Sequence, residues 1–490
     1  VDLRDLRDAT LDALRASADV YASQGQLARV DLGERMAPLE GGALDSACVD
    51  VAEYVTWRRD QQTGAFIASP AAVPPRVLRM LEALPPDAAA SLRQVDQVTR
   101  APVCTPSGRV VTVDGHCAEA RTLVVGCPPI ALSACPELDI ADALDDLRDI
   151  VADFPFEGGV DGPEADNYLG ALIAPLVRPL IAGPMPLLLI EANRPGTGKS
   201  LLAQLVQVVY GLAPEVGPMH KDEKAFASQL LAILVEARPV HVFDNVKHAV
   251  VSASLDMVLT SGTYTDRVLG KTKSLHCLVR QLWILTSNNA RLSQDMSRRF
   301  IRVRLRSDLE RPEERRDVRR PDLLAWAAAH RGEILSRIVQ LVQAWLDAGR
   351  PVPVDAPRLG SFESFSSVIG GILHHAGASQ WLGNLAAAKE AATLDDDWLP
   401  FLIAWQRSGQ LASRRPRELA DICNRNDLLG SLLGPGTESS QASRLGNVLR
   451  GRRDQILHGY RIGIAADELT GRTLYSLEVV DPERARAVYH

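Results

Sequence analysis

The chain has no apolar run near the roughly 18 residues that a membrane-spanning helix needs. Its longest candidate, Pro186 to Glu191, has the length of a buried strand. The opening residues, Val1 through Arg4 and Asp5, lack the apolar core of a secretory signal, so a cytoplasmic location is expected. Val1 stands in place of an initiator Met, and the chain is expected to be trimmed from a longer protein. Its 7 cysteines are odd in number and scattered. Cys104, Cys117, Cys127 and Cys135 share one region, but no pair has CxxC spacing, so reduced thiols without a metal are expected. His374, His375 and His458 form no ligand set either. Neither sign of charge dominates: 54 basic against 61 acidic residues give −7. That balance excludes a wholly basic DNA-coating protein but leaves room for a local basic patch or a ring channel. With 46% hydrophobic and 23% charged residues, wholesale disorder is excluded, and no repeat or low-complexity tract is seen.

What is present divides the 490 residues into four segments. Residues 1–150 mix helical stretches with breaks at Pro74-Pro75 and Pro128-Pro129, and with short strands at 109–113 and 123–125. They read as an α+β domain without a catalytic cluster. Residues 151–310 alternate strands (186–190, 240–243, 282–285, 300–305) with helices (200–210, 223–236). That alternation predicts an α/β core, a parallel sheet with helices on both faces. Residues 311–394 are mainly helical, with one amphipathic helix predicted over 323–346 and ended by Gly349 and Pro351. Residues 395–490 read as a compact helical unit leading into a β-hairpin.

The strongest signal is Asn193, Arg194, Pro195, Gly196, Thr197, Gly198, Lys199, Ser200 and Leu201, between a buried strand and a helix. A Gly-rich turn there aims backbone N–H groups at phosphates, and the helix N-terminus adds partial positive charge. Lys199 would pair the β and γ phosphates of ATP, and the Ser200 hydroxyl would ligate Mg²⁺. Asn193 replaces the usual first Gly, and tolerance of a left-handed backbone is the expected reason. About 45 residues on, an apolar strand ends in Asp244, as a magnesium-orienting carboxylate requires. Where many ATPases place Glu as the base for water, this chain has Asn245, which can orient water but not accept its proton. Asp244 or Glu191 would then supply the negative charge, although Glu191 reads equally as a strand-end residue. A second apolar strand ends in Asn288 and Asn289, a candidate γ-phosphate sensor. Arg298 and Arg299, just before the strand at 300, are candidate arginine fingers for a neighbouring subunit, and the sequence does not separate them.

In this order and spacing, these elements resemble the AAA+ core of superfamily III helicases and the MCM-like helicases of phages and mobile elements. The resemblance is to the helicase part of primase–helicase replication proteins. Besides the motifs above it is carried by 183–190, 259–270, 310–315, 361–373 and Trp381 to Asn384. The resemblance implies a P-loop AAA+ fold, a homo-hexameric ring, and DNA as substrate, with a primase or other replication protein as possible partner. The chain departs from such relatives at Ala227 and Ser228, where a basic residue is usual, which puts a contact from that helix in doubt.

Two DNA-binding regions are expected. The stretch from Arg267 to His276 reads as a hairpin with Lys271 and Lys273 at its tip, and the resemblance places such hairpins in the ring channel. In the tail, Arg444, Arg450, Arg452 and Arg453 lie on a helix followed by two alternating strands, an arrangement that resembles a winged helix on duplex DNA. The leading expectation is an ATP-driven DNA helicase. An ATP-gated initiator or loader is the alternative, and a small-metabolite kinase fits least because it needs neither paired arginines nor a winged helix.

Overall fold

In the computed structural model the described residues are 2–31, 35–84, 86–132, 139–247, 250–270, 273–288, 296–309, 311–315, 317–386, 398–408, 413–454, 456–457, 459–466 and 473–482. They fall into two compact units, one spanning Val1–Ala290 with Asp295–Lys389, the other Glu390–His490 with Arg291–Gln294.

The first unit opens with helix Leu3–Ala16, whose Asp2 cap accepts the Arg4 N–H at 2.9 Å. With helices Gly42–Val51 and Pro75–Glu82 it encloses a small core of Leu11, Leu14, Leu44, Cys48, Val77 and Leu81. Two three-stranded sheets follow in this N-terminal part, one antiparallel over residues 21–38 and one mixed over 97–124.

The centre is a four-stranded parallel sheet, labelled here from its first strand. β1 is Leu187–Ala192, α1 Lys199–Val209, β2 Val240–Phe243, α2 Ala253–Ser261, β3 Thr263–Arg267, β4 Ser274–Leu278, β5 Leu282–Ser287 and β6 Phe300–Leu305. The sheet order is β2-β5-β1-β6, all parallel. Every residue of β1 and β5 is buried, as expected of strands covered on both faces, which is why they read as continuous apolar runs. Helix α1 packs on one face. On the other, Phe226 of helix Glu223–Val235 meets Phe243 with ring centroids 5.5 Å apart. β3 and β4 form an antiparallel hairpin outside this sheet.

A helical layer backs β6. Asn167 and Asn384 bond one another at 2.9 Å and both reach the Arg302 carbonyl, while Glu164 accepts from Asn384 at 3.0 Å. A β-carbon at Gly370 would lie 2.9 Å from the Trp381 ring, so glycine permits that approach. The stretches 361–373 and 381–384 therefore serve packing. The helix predicted over 323–346 is two, Leu323–Ala329 and Arg331–Asp347. The break is at His330, whose ring stacks on Trp326 at 4.6 Å and whose N–H bonds the Trp326 carbonyl at 3.0 Å. The end at Gly349 is as predicted: φ is +82° there, and the Arg350 N–H returns to Trp345 O at 2.9 Å.

The second unit has helices Trp398–Arg407, Pro416–Arg425, Gly430–Leu433 and Glu438–Gly451, then antiparallel strands Ile456–Leu457, Tyr460–Ala466 and Thr473–Val479. Phe401, Trp405, Leu419, Leu445, Leu449, Tyr460 and Tyr475 fill its core. Arg414 bridges Tyr475 through two backbone bonds of 2.7 and 2.8 Å, tying the helices to the hairpin.

Candidate nucleotide-binding site

Because the sheet is parallel, the carboxyl ends of β1, β2 and β5 lie at one edge. From β1 the chain turns through Gly196 at φ +77° and Gly198 at φ +96° into α1. A β-carbon on Gly198 would lie 2.8 Å from the Phe154 ring, so both conformation and space require glycine. One on Gly196 would run into the Glu313 carboxylate. Thr197 closes the turn with its hydroxyl on the Arg194 carbonyl at 3.2 Å, and Arg194 and Pro195 are exposed. Asn193 does not take the left-handed backbone expected of it. Its side-chain amide instead donates to Ser307 O at 3.0 Å and accepts the Ser307 N–H at 3.1 Å, which pins the loop to the end of β6.

Lys199 is 8% exposed. Burial pushes its ammonium below the usual lysine range, with Asp244 pulling the other way. Ser200 donates to Asp244 Oδ1 at 2.7 Å, so the two predicted magnesium ligands already meet. Thr286 donates to the same oxygen at 2.6 Å and accepts the Asn245 N–H at 2.8 Å. Thr286 escaped the sequence reading, and its only signal was a hydroxyl, shared with Ser287, at the end of an apolar strand. Asp244 is held further by its N–H on Gly217 O at 3.0 Å. Asn245 has φ +51°, a conformation Asn tolerates far better than Glu, which gives a backbone reason for its presence here. Glu191 is buried and paired to Arg302 at 2.7 Å, so it is a structural ion pair and not a spare base. Asn288 follows β5 at the same edge and is exposed, two positions beyond the level of Asp244 in the register. Asn289 lies outside the described residues.

The oxygen donors of Ser200 and Asp244 suit a hard cation such as Mg²⁺. Among the described residues no group of three or more His, Cys, Asp or Glu could hold a metal, so one carboxylate, one hydroxyl and ligand oxygens are the available set. Beside the loop a cavity of about 300 Å³ is walled by Phe154, Pro155, Leu201, Leu309 and Leu323.

Of the two finger candidates, Arg299 is half-buried and ion-paired to Asp256 of α2, while Arg298 is exposed. Lys271 lies outside the described residues. Lys273 is not a projecting tip residue: its ammonium donates to Gln26 Oε1 at 3.3 Å. Among the described residues near the turn, Leu269 is 85% exposed and Arg267 is exposed as well. In the second unit Arg444 faces inward, with its guanidinium on the carbonyls of Leu433 and Pro435. That engagement removes it from the expected DNA face. Arg452 lies over the Trp398 ring at 4.5 Å, and Arg453 pairs with Asp454 at 3.2 Å. Arg450 is exposed and shares one helix face with Ser439, Ser443 and Asn447. That face, with Arg415 and Arg417, lines a groove of about 910 Å³.

No family model and no curated protein matches the chain. Among solved structures, two of the NrS-1 C-terminal region align over 72% of this chain at 11% and 12% identity. They cover 77% and 76% of those chains, with TM-scores of 0.33 and 0.32. A ligand-bound JCV helicase aligns over 52% of this chain and 74% of its own at 15% identity, TM-score 0.22. Likeness at these TM-scores does not define a fold. No described helix is long and apolar enough to cross a membrane.

Proposed function

We propose that this chain is an ATP-driven DNA translocase of the AAA+ kind, working as a ring in the replication of a phage or mobile element. The observation that carries the reading is the convergence of buried Lys199 and Thr286 with half-buried Ser200 and Asp244 at the sheet edge beneath a Gly-rich loop. In this reading the loop N–H groups and Lys199 bind the phosphates, and the cavity beside Leu201 takes the base. Ser200 and Asp244 hold Mg²⁺, which when bound neutralises charge on the phosphates. Thr286 fixes the Asp244 carboxylate and Gly217 its backbone N–H, and Asn288 faces the γ-phosphate. Exposed Arg298 is the finger offered to the next subunit. The second unit acts as a winged helix that captures duplex through Arg450, Asn447, Arg415 and Arg417.

Asn245 favours a second reading, an ATP-gated initiator that hydrolyses slowly and does not unwind. The deciding experiment measures ATP turnover with and without DNA, together with strand displacement on a forked duplex. DNA-stimulated turnover with displacement supports the translocase. Stimulation without displacement supports the initiator, and turnover indifferent to DNA sinks both.

A further inference from the structure

Residues 55–70 form a hairpin that neither the phosphate site nor the C-terminal unit uses. Strands Val55–Arg59 and Phe66–Pro70 pair antiparallel, and nine of their ten residues are exposed, the tenth being Ser69. Its turn is well built: Asp60 accepts the N–H groups of Gln62 and Thr63, each at 2.8 Å, and Ala71 N–H closes the base on Tyr54 O at 2.8 Å. A lone two-stranded hairpin is marginal in water, and one that displays large apolar side chains calls for a ligand. Trp57 is 64% exposed, Phe66 66% and Ile67 51%.

The register sorts these groups. Trp57 faces Ala68 and Arg59 faces Phe66, so Val55, Trp57, Arg59 and Phe66 share one face, with Arg58 and Ile67 on the other. Trp57 and Phe66 are diagonal neighbours, roughly 7–8 Å apart in such a ladder, close enough for successive bases of one strand to stack on the two rings. Neither Arg58 nor Arg59 has a carboxylate partner among the described residues. Arg59 Nε rests on the Gly64 carbonyl at 3.3 Å, which fixes it beside Phe66. Of the other arginines in the N-terminal part, Arg29, Arg35 and Arg121 meet carboxylates, while Arg79 and Arg93 bond backbone carbonyls. Arg59 beside two open aromatic rings on one face, with Arg58 on the reverse face and neither held by a carboxylate among the described residues, fits a polyanion with flat bases: the rings take the bases and the guanidinium a phosphate.

We propose that the 55–70 hairpin is a stacking platform for single-stranded nucleic acid, with Trp57 and Phe66 under the bases and Arg59 on the phosphates. This site does not depend on the reading of the phosphate loop, because it needs no nucleotide.

The test is fluorescence anisotropy of the full chain with labelled oligo-deoxythymidine and, separately, oligo-uridine, without ATP. Trp57→Ala or Phe66→Ala should each weaken binding about 5- to 150-fold. Trp57→Phe should restore most of the loss, and Arg59→Ala should flatten the slope of log affinity against log salt by about 0.7, with Arg58→Ala on the reverse face changing it less. A loss confined to one of the two probes identifies the strand as DNA or RNA. Photocrosslinking of a halogenated strand should map to residues 55–70. Unchanged affinity in the alanine variants overturns the proposal. So does a change of oligomeric mass in those variants with affinity retained, because the hairpin would then be a subunit contact. Circular dichroism and DNA-independent ATP turnover at the parent level show that the variants are folded. A parent chain that binds strands but does not turn over ATP would refute the phosphate-site reading and leave this one standing.

Discussion

Lys199 and Arg450 both present positive charge suited to phosphate, and the molecule offers them in opposite ways. Lys199 lies at the first turn of α1, buried, with its setting fixed by three parallel strands and two glycines of positive φ. Arg450 stands exposed near the end of its helix, with the Tyr475 hydroxyl as its neighbour. A desolvated cation acts at short range and is little screened, whereas an exposed one acts over a Debye length and weakens with salt. The first arrangement suits positioning of a reacting group and the second suits capture of a long polyanion. On the proposed reading, the buried cation serves the chemistry and the exposed one the capture of DNA.

The strongest way to test this contrast is to add a third cation. Arg298→Ala should lower ATP turnover by about 10³-fold or more in the assembled state while nucleotide binding persists, and mixing with Lys199→Ala protein should restore part of it. Arg299→Ala should instead lower the melting temperature through loss of the Asp256 pair. Equal turnover losses in both variants, or no rescue in confirmed mixed rings, would dissolve the distinction. Next in size, Lys199→Ala should cut turnover by about 10²–10³-fold with an unchanged circular dichroism spectrum. Lower salt should not restore it. Recovery at low salt would make Lys199 a screened surface charge after all.

On the exposed side, Arg450→Ala should weaken duplex binding by about 1–3 kcal/mol and reduce the slope of log affinity against log salt by about one. Arg444→Ala should leave that slope alone and lower the melting temperature, since its guanidinium caps the Leu433 and Pro435 carbonyls. If Arg444→Ala alters the slope and Arg450→Ala does not, the assignment of that helix face is reversed.

A last effect concerns a half-buried ring in the sheet. His241 lies between Phe243 and Trp283, with ring centroids at 4.7 and 5.7 Å. Burial pushes its pKa from 6.5 down to about 4, helped by Arg238 and opposed by Glu215. Between those values the unfolded chain binds a proton that the folded chain refuses, so stability falls as pH drops from 6.5 towards 4 and is insensitive to this ring above 6.5. His241→Phe should remove that part of the slope, at most about 1.4 kcal/mol per pH unit, in urea titrations across the range.

What could be read from the sequence follows the same division. The β1–loop–α1 element and Asp244 were legible because each is a local pattern: an apolar run, glycines where φ is positive, and a carboxylate ending a strand. Thr286 was not, because its role arises only when β5 lies beside β2, with Val242 level with Ile284. The left-handed backbone that the sequence suggests for Asn193 is found elsewhere. The left-handed backbone belongs to Asn245, and Asn193 holds Ser307 through its amide. Arginines counted along a helix do not reveal which of them turn inward, so Arg444 and Arg450 looked equivalent. Lys273 looked like a tip residue because the neighbour that holds it, Gln26, is far away in the chain.

The stitching between the N-terminal part and the sheet bears on how this protein can be dissected. Met36 N–H bonds Glu236 O at 3.0 Å, and Val98 N–H bonds Ala237 O at 2.9 Å. Gln24 exchanges bonds with the Leu278 backbone at 2.8 and 3.3 Å. A boundary drawn by motif alone, near residue 150, would therefore cut a shared hydrogen-bond seam. The fragment carrying the sheet and the loop would be left with uncapped carbonyls after helix Glu223–Val235 and a β3–β4 hairpin without its mooring. A fragment that begins after this seam should expose apolar surface to a hydrophobic dye and precipitate on warming, while one that begins before Leu3 should not. Any movement of that hairpin during a nucleotide cycle must likewise either carry Gln24 along or release it.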